Sequence, residues 1–267
     1  LKKRTVSTIA VVALAAAIAG YLLVTPESEP PVVAPPATPA VAPPPAEPVV
    51  IPEAVVAPVI AHPLAAAPAD EPLPAADQAD AALQKALEQA LGKRLWALVV
   101  PDELLRRIVA SVDALPRKHL PASIVPLKRA TGPLQVTRSD AGDLAIDPAN
   151  AQRYGYLTRV VGVVDTRTLV GVYRHFYPLF QSAYEQLGYS GAYFNDRVVV
   201  AIDDLLAAPA LDRPIALTQP KVLYEYADAD LQARSAGQKI MLRIGRENAS
   251  AIKDKLREIR ALVAAAP

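Results

Sequence analysis

Apolar residues recur at helical spacing from Asp77 onward, and nowhere upstream except in one uncharged run near the start. Leu83, Leu87, Leu91, Leu95 and Leu98 fall on one stripe and predict a helix to about residue 99. Pro101-Asp102-Glu103 then opens a second helix carrying Leu104, Leu105, Ile108, Val112 and Leu115. Pro116 and Pro121 end this pair, and Pro126 with Gly132-Pro133 keep the next stretch extended. Residues 135–138 and 144–146 flank a turn at Asp140-Ala141-Gly142-Asp143, so a short hairpin is expected there. Asp147-Pro148 reads as a helix opening, with an acid at the cap and proline at the first helical position.

Asp165 opens a longer helix with Leu169, Tyr173, Phe176, Phe180, Tyr184 and Leu187 on one face and Gly188 as its stop. Pro178 lies inside that pattern, where it bends the helix rather than ending it. Further helices are expected over residues 195–207, 228–244 and 248–264. In the last of these Ile252, Leu256, Ile259 and Val263 form the buried face, with Lys253, Lys255, Arg257, Glu258 and Arg260 on the solvated side. The expected fold class is mainly α: a multi-helix domain over residues 77–265 with a small β-hairpin.

Two other segments precede it. Lys2, Lys3 and Arg4 are followed by an uncharged run over residues 5–24. At ~1.5 Å per residue it reaches ~30 Å, the depth of a hydrocarbon core. Residues 1–25 are therefore expected to be a transmembrane anchor. Ala17-Ile18-Ala19 offers cleavage spacing for the rival reading, a removed signal peptide, but the apolar run continues through Tyr21-Leu22-Leu23-Val24. Cations before the run, and Glu27 and Glu29 after it, orient the rest of the chain outside the cytoplasm. The expected location is a bacterial inner membrane, single-pass, with the C-terminal domain periplasmic.

Residues 26–76 read as a disordered stalk. Sixteen of the 27 prolines lie between positions 26 and 74, and the intervening residues are mostly Ala and Val. Such a stretch lacks backbone donors and the large side chains a core needs. As polyproline II, at ~3.1 Å per residue, it spans on the order of 150 Å. His62, inside it, has no partner in the sequence around it.

Charge and composition narrow the functional classes. From Asp77 onward there are 25 basic and 21 acidic residues, well mixed, which is not the cationic face of a nucleic-acid binder. The absence of cysteine excludes thiol catalysis, thiolate metal sites and iron–sulfur clusters.

Several linked motifs resemble a known family: the run from Arg174 through Gln181, Ala183-Tyr184-Glu185-Gln186-Leu187-Gly188-Tyr189, and Tyr193-Phe194-Asn195-Asp196-Arg197. Pro220-Lys221-Val222-Leu223-Tyr224 and Ser235-Ala236-Gly237-Gln238-Lys239 complete the set. Together they are similar to a family of uncharacterised bacterial envelope proteins, a domain of unknown function, over roughly residues 108–262. The resemblance implies an N-terminal anchor, a Pro-rich stalk and an envelope location, and brings no catalytic residues.

The sequence contains no nucleophile elbow, His-Glu-x-x-His helix, phosphate loop or dinucleotide fingerprint. The histidines at 62, 119 and 175 have no metal-ligand spacing, so no metal and no cofactor is expected. Asp203-Asp204 is the one adjacent acid pair that invites an acid–base reading, but neighbouring helical residues point ~100° apart and cannot share a site. Eight of the 14 aromatics fall between positions 173 and 194. The stripe 173, 176, 180, 184 and 187 reads as core, while Tyr177, Tyr189 and Tyr193 lie off it and suit a surface groove. Asn195 reads as a helix cap, and Gly237 as a point of close helix packing.

The candidate binding residues are Tyr193, Asn195, Lys221, Tyr224, Gln238 and Lys239, with the lysines as cations for an anionic group. The expected function is a membrane-tethered envelope binding or scaffold module, meeting an envelope protein or cell-wall partner and no nucleic acid. The alternatives are a tethered enzyme acting on wall polymers through Asp196, Asp203 or Glu225, and a periplasm-spanning energy transducer. The last lacks an ionisable residue in its membrane run.

Overall fold

A computed structural model describes residues 60–64, 72–75, 77–130 and 132–264. The expected anchor and most of the stalk lie outside these residues. Among the described residues, no helix is long and apolar enough to cross a membrane. They form a mainly helical domain of eight α-helices with a small antiparallel sheet.

In chain order the elements are α1 (Ala79–Trp96), α2 (Leu104–Ala114), a 3-10 turn (Ala122–Ile124), β1 (Val136–Arg138) and β2 (Leu144–Ile146). Helices α3 (Asn150–Gly162), α4 (Thr166–Gln186) and α5 (Phe194–Leu206) follow. Then come β3 (Ala216–Thr218), β4 (Glu225–Tyr226), α6 (Ala229–Gln232), α7 (Ala236–Arg243) and α8 (Arg246–Val263).

Helix α4 is central. Its stripe of Leu169, Tyr173, Phe176, Phe180 and Tyr184 is buried, while Leu187, one residue past the helix end, is 37% exposed. Asp165 caps α4 by accepting from the Thr168 N–H at 2.6 Å, and Pro178 stays inside the helix. Helix α8 packs across α3, α4 and α5 with Ile252, Leu256, Ile259 and Val263 inward.

The first two helices are locked by a side chain rather than by the loop between them. Asp80 on α1 accepts from Leu104 N–H at 3.1 Å and Leu105 N–H at 2.9 Å, serving donors that the start of α2 leaves unpaired. Helix α1 ends at Trp96, short of residue 99, and already leaves helical geometry at Gly92, whose φ is +70°.

Three expectations are corrected. The single helix expected over residues 228–244 is two, because Asp228 caps α6 and Ser235 caps α7 by accepting from Gln238 N–H at 3.0 Å. Ser235, inside the expected span, is an extended residue that a continuous helix cannot contain. Lys255 is not solvated but buried: its ammonium donates to the Val164 carbonyl at 3.1 Å and Thr166 Oγ1 at 3.0 Å, and pairs with Glu258 at 2.8 Å. It thereby serves a carbonyl at the end of α3 that has no helical partner. The hairpin, finally, is half of a sheet ordered β1-β2-β3-β4, with Val136 opposite Ile146, Leu144 opposite Leu217, and Leu217 opposite Tyr226. Its inner face makes a second small core of Leu217, Tyr226, Leu231 and Leu242.

Candidate functional site

The start of α5 is capped by its neighbour. Gln181 on α4 accepts from Phe194 N–H at 2.8 Å through Oε1 and donates to the Ala192 carbonyl at 2.8 Å through Nε2. The Tyr177 hydroxyl donates to the same Gln181 oxygen at 3.1 Å and accepts from Asn195 N–H at 3.3 Å. Helix α5 therefore needs no capping side chain of its own, and its first turn is available for other contacts. Asn195 is not the cap: that position is Tyr193, which makes no side-chain cap bond.

What the turn holds is a piece of the chain far upstream. Asp196 accepts from Ala61 N–H at 3.1 Å and His62 N–H at 2.7 Å, one on each carboxylate oxygen. The Tyr193 hydroxyl accepts from Leu64 N–H at 3.0 Å. Asn195 Nδ2 donates to the His62 carbonyl at 2.9 Å and to the Val263 carbonyl at 2.9 Å, while its Oδ1 accepts from the Tyr173 hydroxyl at 3.1 Å. Asn195 is fully buried, so it ties the occupied surface to the core. His62, which the sequence leaves without a partner, is gripped through its main chain on both sides.

Aromatic rings form the floor. Tyr177 and Tyr193 lie 5.2 Å apart between centroids, and Tyr173 meets Tyr177 edge-on at 5.5 Å. Burial pushes the Tyr173 and Tyr177 phenols well above their usual range, so both stay neutral donors at any physiological pH. The charge of Asp196 sits in the first turn of α5, at the positive end of the helix dipole.

The other candidate residues fall elsewhere. Gln238 is buried on α7, donating to Asp204 Oδ1 at 2.9 Å and accepting from Arg234 at 3.1 Å. Asp204 lies eight residues beyond Asp196 on α5, about 12 Å along the helix axis. Lys239 is half-buried, and its carbonyl accepts from the Tyr226 hydroxyl at 3.0 Å. Lys221 is exposed between β3 and β4, and Tyr224 packs on the small sheet core. The set therefore divides between the α5 entry, which holds Tyr193 and Asn195, and the α7–sheet end of the domain.

Asp203 and Asp204 have separate partners. Asp203 pairs with Arg260 at 2.9 Å. Asp204 accepts from Ser235 Oγ at 2.7 Å as well as from Gln238, and burial raises its pKa. Asp113 forms a further ionic knot with Arg117 at 2.8 Å and Arg197 at 3.0 Å, and accepts from the Tyr189 hydroxyl at 3.1 Å. It joins the end of α2 to α5 and to the loop between α4 and α5. Among the described residues, no group of three or more His, Asp or Glu is placed to hold a metal ion.

Sequence reasoning marked Tyr177 only as suited to a surface groove, and missed Gln181 and the segment over residues 60–64. Gln181 carries a faint signal, a polar residue on α4 beside the aromatic stripe, but nothing in the sequence points it at Phe194. The fold and site define a small helical domain that clasps a short bent stretch of chain at a helix entry. A family model described as "Protein of unknown function (DUF3014)" matches residues 104–260, more than half of the chain, and the chain belongs to that family. No curated protein and no solved structure matches it. The clasping residues of α4 and α5 lie inside the matched region, and residues 60–64 lie ahead of it.

Proposed function

We propose that this protein is a membrane-tethered binding module of the bacterial cell envelope, with its anchor in the inner membrane and its domain on the periplasmic side. The observation that supports binding is the clasp at the α5 entry. Asp196, Asn195 and Tyr193 engage a short bent segment through four main-chain hydrogen bonds. Recognition of a short peptide through its main chain is a recurrent way in which non-catalytic domains take up partners. The Pro-rich stalk fits this reading, because it gives the domain reach away from its anchor.

Two measurements test it. A reporter enzyme active only outside the cytoplasm, fused after Pro267, is expected to be active and to sediment with membranes; an inactive fusion reverses the topology. A photoreactive residue at Ser190, exposed near Tyr193 in the chain, is expected to capture a discrete partner in cells. That capture should disappear in Asp196→Ala. Crosslinks that persist unchanged in Asp196→Ala would move the working surface away from α5.

A further inference from the structure

Every main-chain N–H from Ala61 to Leu64 is accounted for at the α5 entry. Ala61 and His62 donate to the two oxygens of Asp196, Leu64 donates to the Tyr193 hydroxyl, and Pro63 has no N–H to place. The His62 carbonyl is taken by Asn195. Side chains contribute less. Ala61 is exposed, and among the described residues no hydrogen bond reaches the His62 imidazole. Leu64 alone packs against the main core. The seat therefore reads a chain shape and one side chain: a bend at the first two residues and leucine fourth, while the exposed Pro63 marks a position where no donor is needed.

We propose that this seat is a receptor site for a bent Xaa-Xaa-Pro-Leu segment of another envelope protein, and that residues 60–64 are its built-in competitor. This rests on the binding reading above and names the ligand class and regulation of that same site. Because the grip is on main chain, the resident segment is held by nothing unique to its first two side chains. Its advantage is the short connection to the domain, which gives a tethered peptide an effective concentration on the order of millimolar. A second copy of this chain would offer the same five residues without that connection, and so competes poorly. A partner segment that adds contacts beyond the leucine can win. The site is thus closed to weak peptides and opens to a ligand that exceeds a threshold.

The test uses the full chain and a fluorescein-labelled peptide, Ala-Ala-Ala-Ala-Pro-Leu-Ala, followed by anisotropy. In the double variant Ala61→Pro/His62→Pro the two N–H groups facing Asp196 are gone and the bend at these residues is disfavoured, while the helices are untouched. This released chain is expected to bind the peptide at least about tenfold more tightly than wild type, since a larger fraction of sites is vacant. Adding Asp196→Ala to the released chain should abolish binding, with helical circular dichroism unchanged. Equal affinity for wild type and released chain, no binding to the released chain, or binding indifferent to Asp196→Ala would each overturn the proposal. A wild-type dimer in sedimentation velocity that the released chain loses would do so too, by assigning the segment to a second copy. Failure of peptide binding while Asp196-dependent crosslinking persists in cells removes the Pro-Leu ligand class and leaves the binding reading standing.

Discussion

Asn195 carries the connection between core and clasp, and its replacement by alanine has a calculable effect. Truncation leaves two buried groups without partners. One is the Tyr173 hydroxyl, on a side chain that is 1% exposed; the other is the Val263 carbonyl, on a residue that is fully buried. A buried polar group stripped of its partner costs about 1–3 kcal/mol, so the two together predict a loss of about 2–6 kcal/mol. The lost bond to His62 adds little, because that carbonyl lies nearer solvent. Tyr173→Phe leaves only the Asn195 oxygen unpaired and should cost about 1–2 kcal/mol. In the double variant the stranded hydroxyl no longer exists, so the combined loss should fall short of the sum by about 1–2 kcal/mol. Urea unfolding followed by circular dichroism measures all three. With a slope of about 1–3 kcal/mol per molar, a loss of about 3 kcal/mol moves the midpoint by roughly 1–3 M. Strict additivity, or an unmoved midpoint for Asn195→Ala, would refute the claim that these bonds are made inside the core.

Three further outcomes follow from the same geometry. Gly237→Ala places a Cβ 2.8 Å from Leu205 Cδ2 and 3.2 Å from the Leu115 carbonyl oxygen. Overpacking of that kind should cost about 1–3 kcal/mol by urea denaturation, and a neutral result would mean that α7 can slide on α5. The Asp165 pKa is held below its ordinary value by hydrogen bonds from Thr168, hydroxyl first and then N–H. Its contribution is therefore present above the unfolded pKa and lost as pH falls through the folded one. Asp165→Asn, which keeps the cap but not the titration, should show a shallower stability decline below about pH 4 in acid denaturation. Limited proteolysis of wild type should leave a fragment that retains residues 60–64, whereas Asp196→Ala should expose cleavage after Leu64; identical fragments would mean that Asp196 does not hold the segment.

The periodic apolar face of α4, the inward residues of α8 and the cap at Asp165 were legible from sequence alone, because a helix longer than three turns repeats its pattern often enough to declare its face. The β1–β2 hairpin was legible through its turn residues, although β3 and β4 were not, since strands of three and two residues show no alternation to count. Gly237 was read as a packing glycine, and Leu205 and Leu115 supply the close neighbours that require it. Which polar residues would meet was decided only by tertiary structure. Asn195 looks like a capping residue in sequence, and it and its neighbour Asp196 acquire a different role because Gln181 and Tyr177, from a separate helix, already satisfy the first donors of α5. Lys255 looked like one of five solvated charges, and it is buried because the end of α3 offers an unpaired carbonyl within its reach. The contact between residues 60–64 and Asp196 spans more than 130 positions, and main-chain donors leave no mark in the identity of the residues that carry them. Local pattern could determine the helices and their inner faces, while pairing across the chain depended on distances that exist only once those helices have packed.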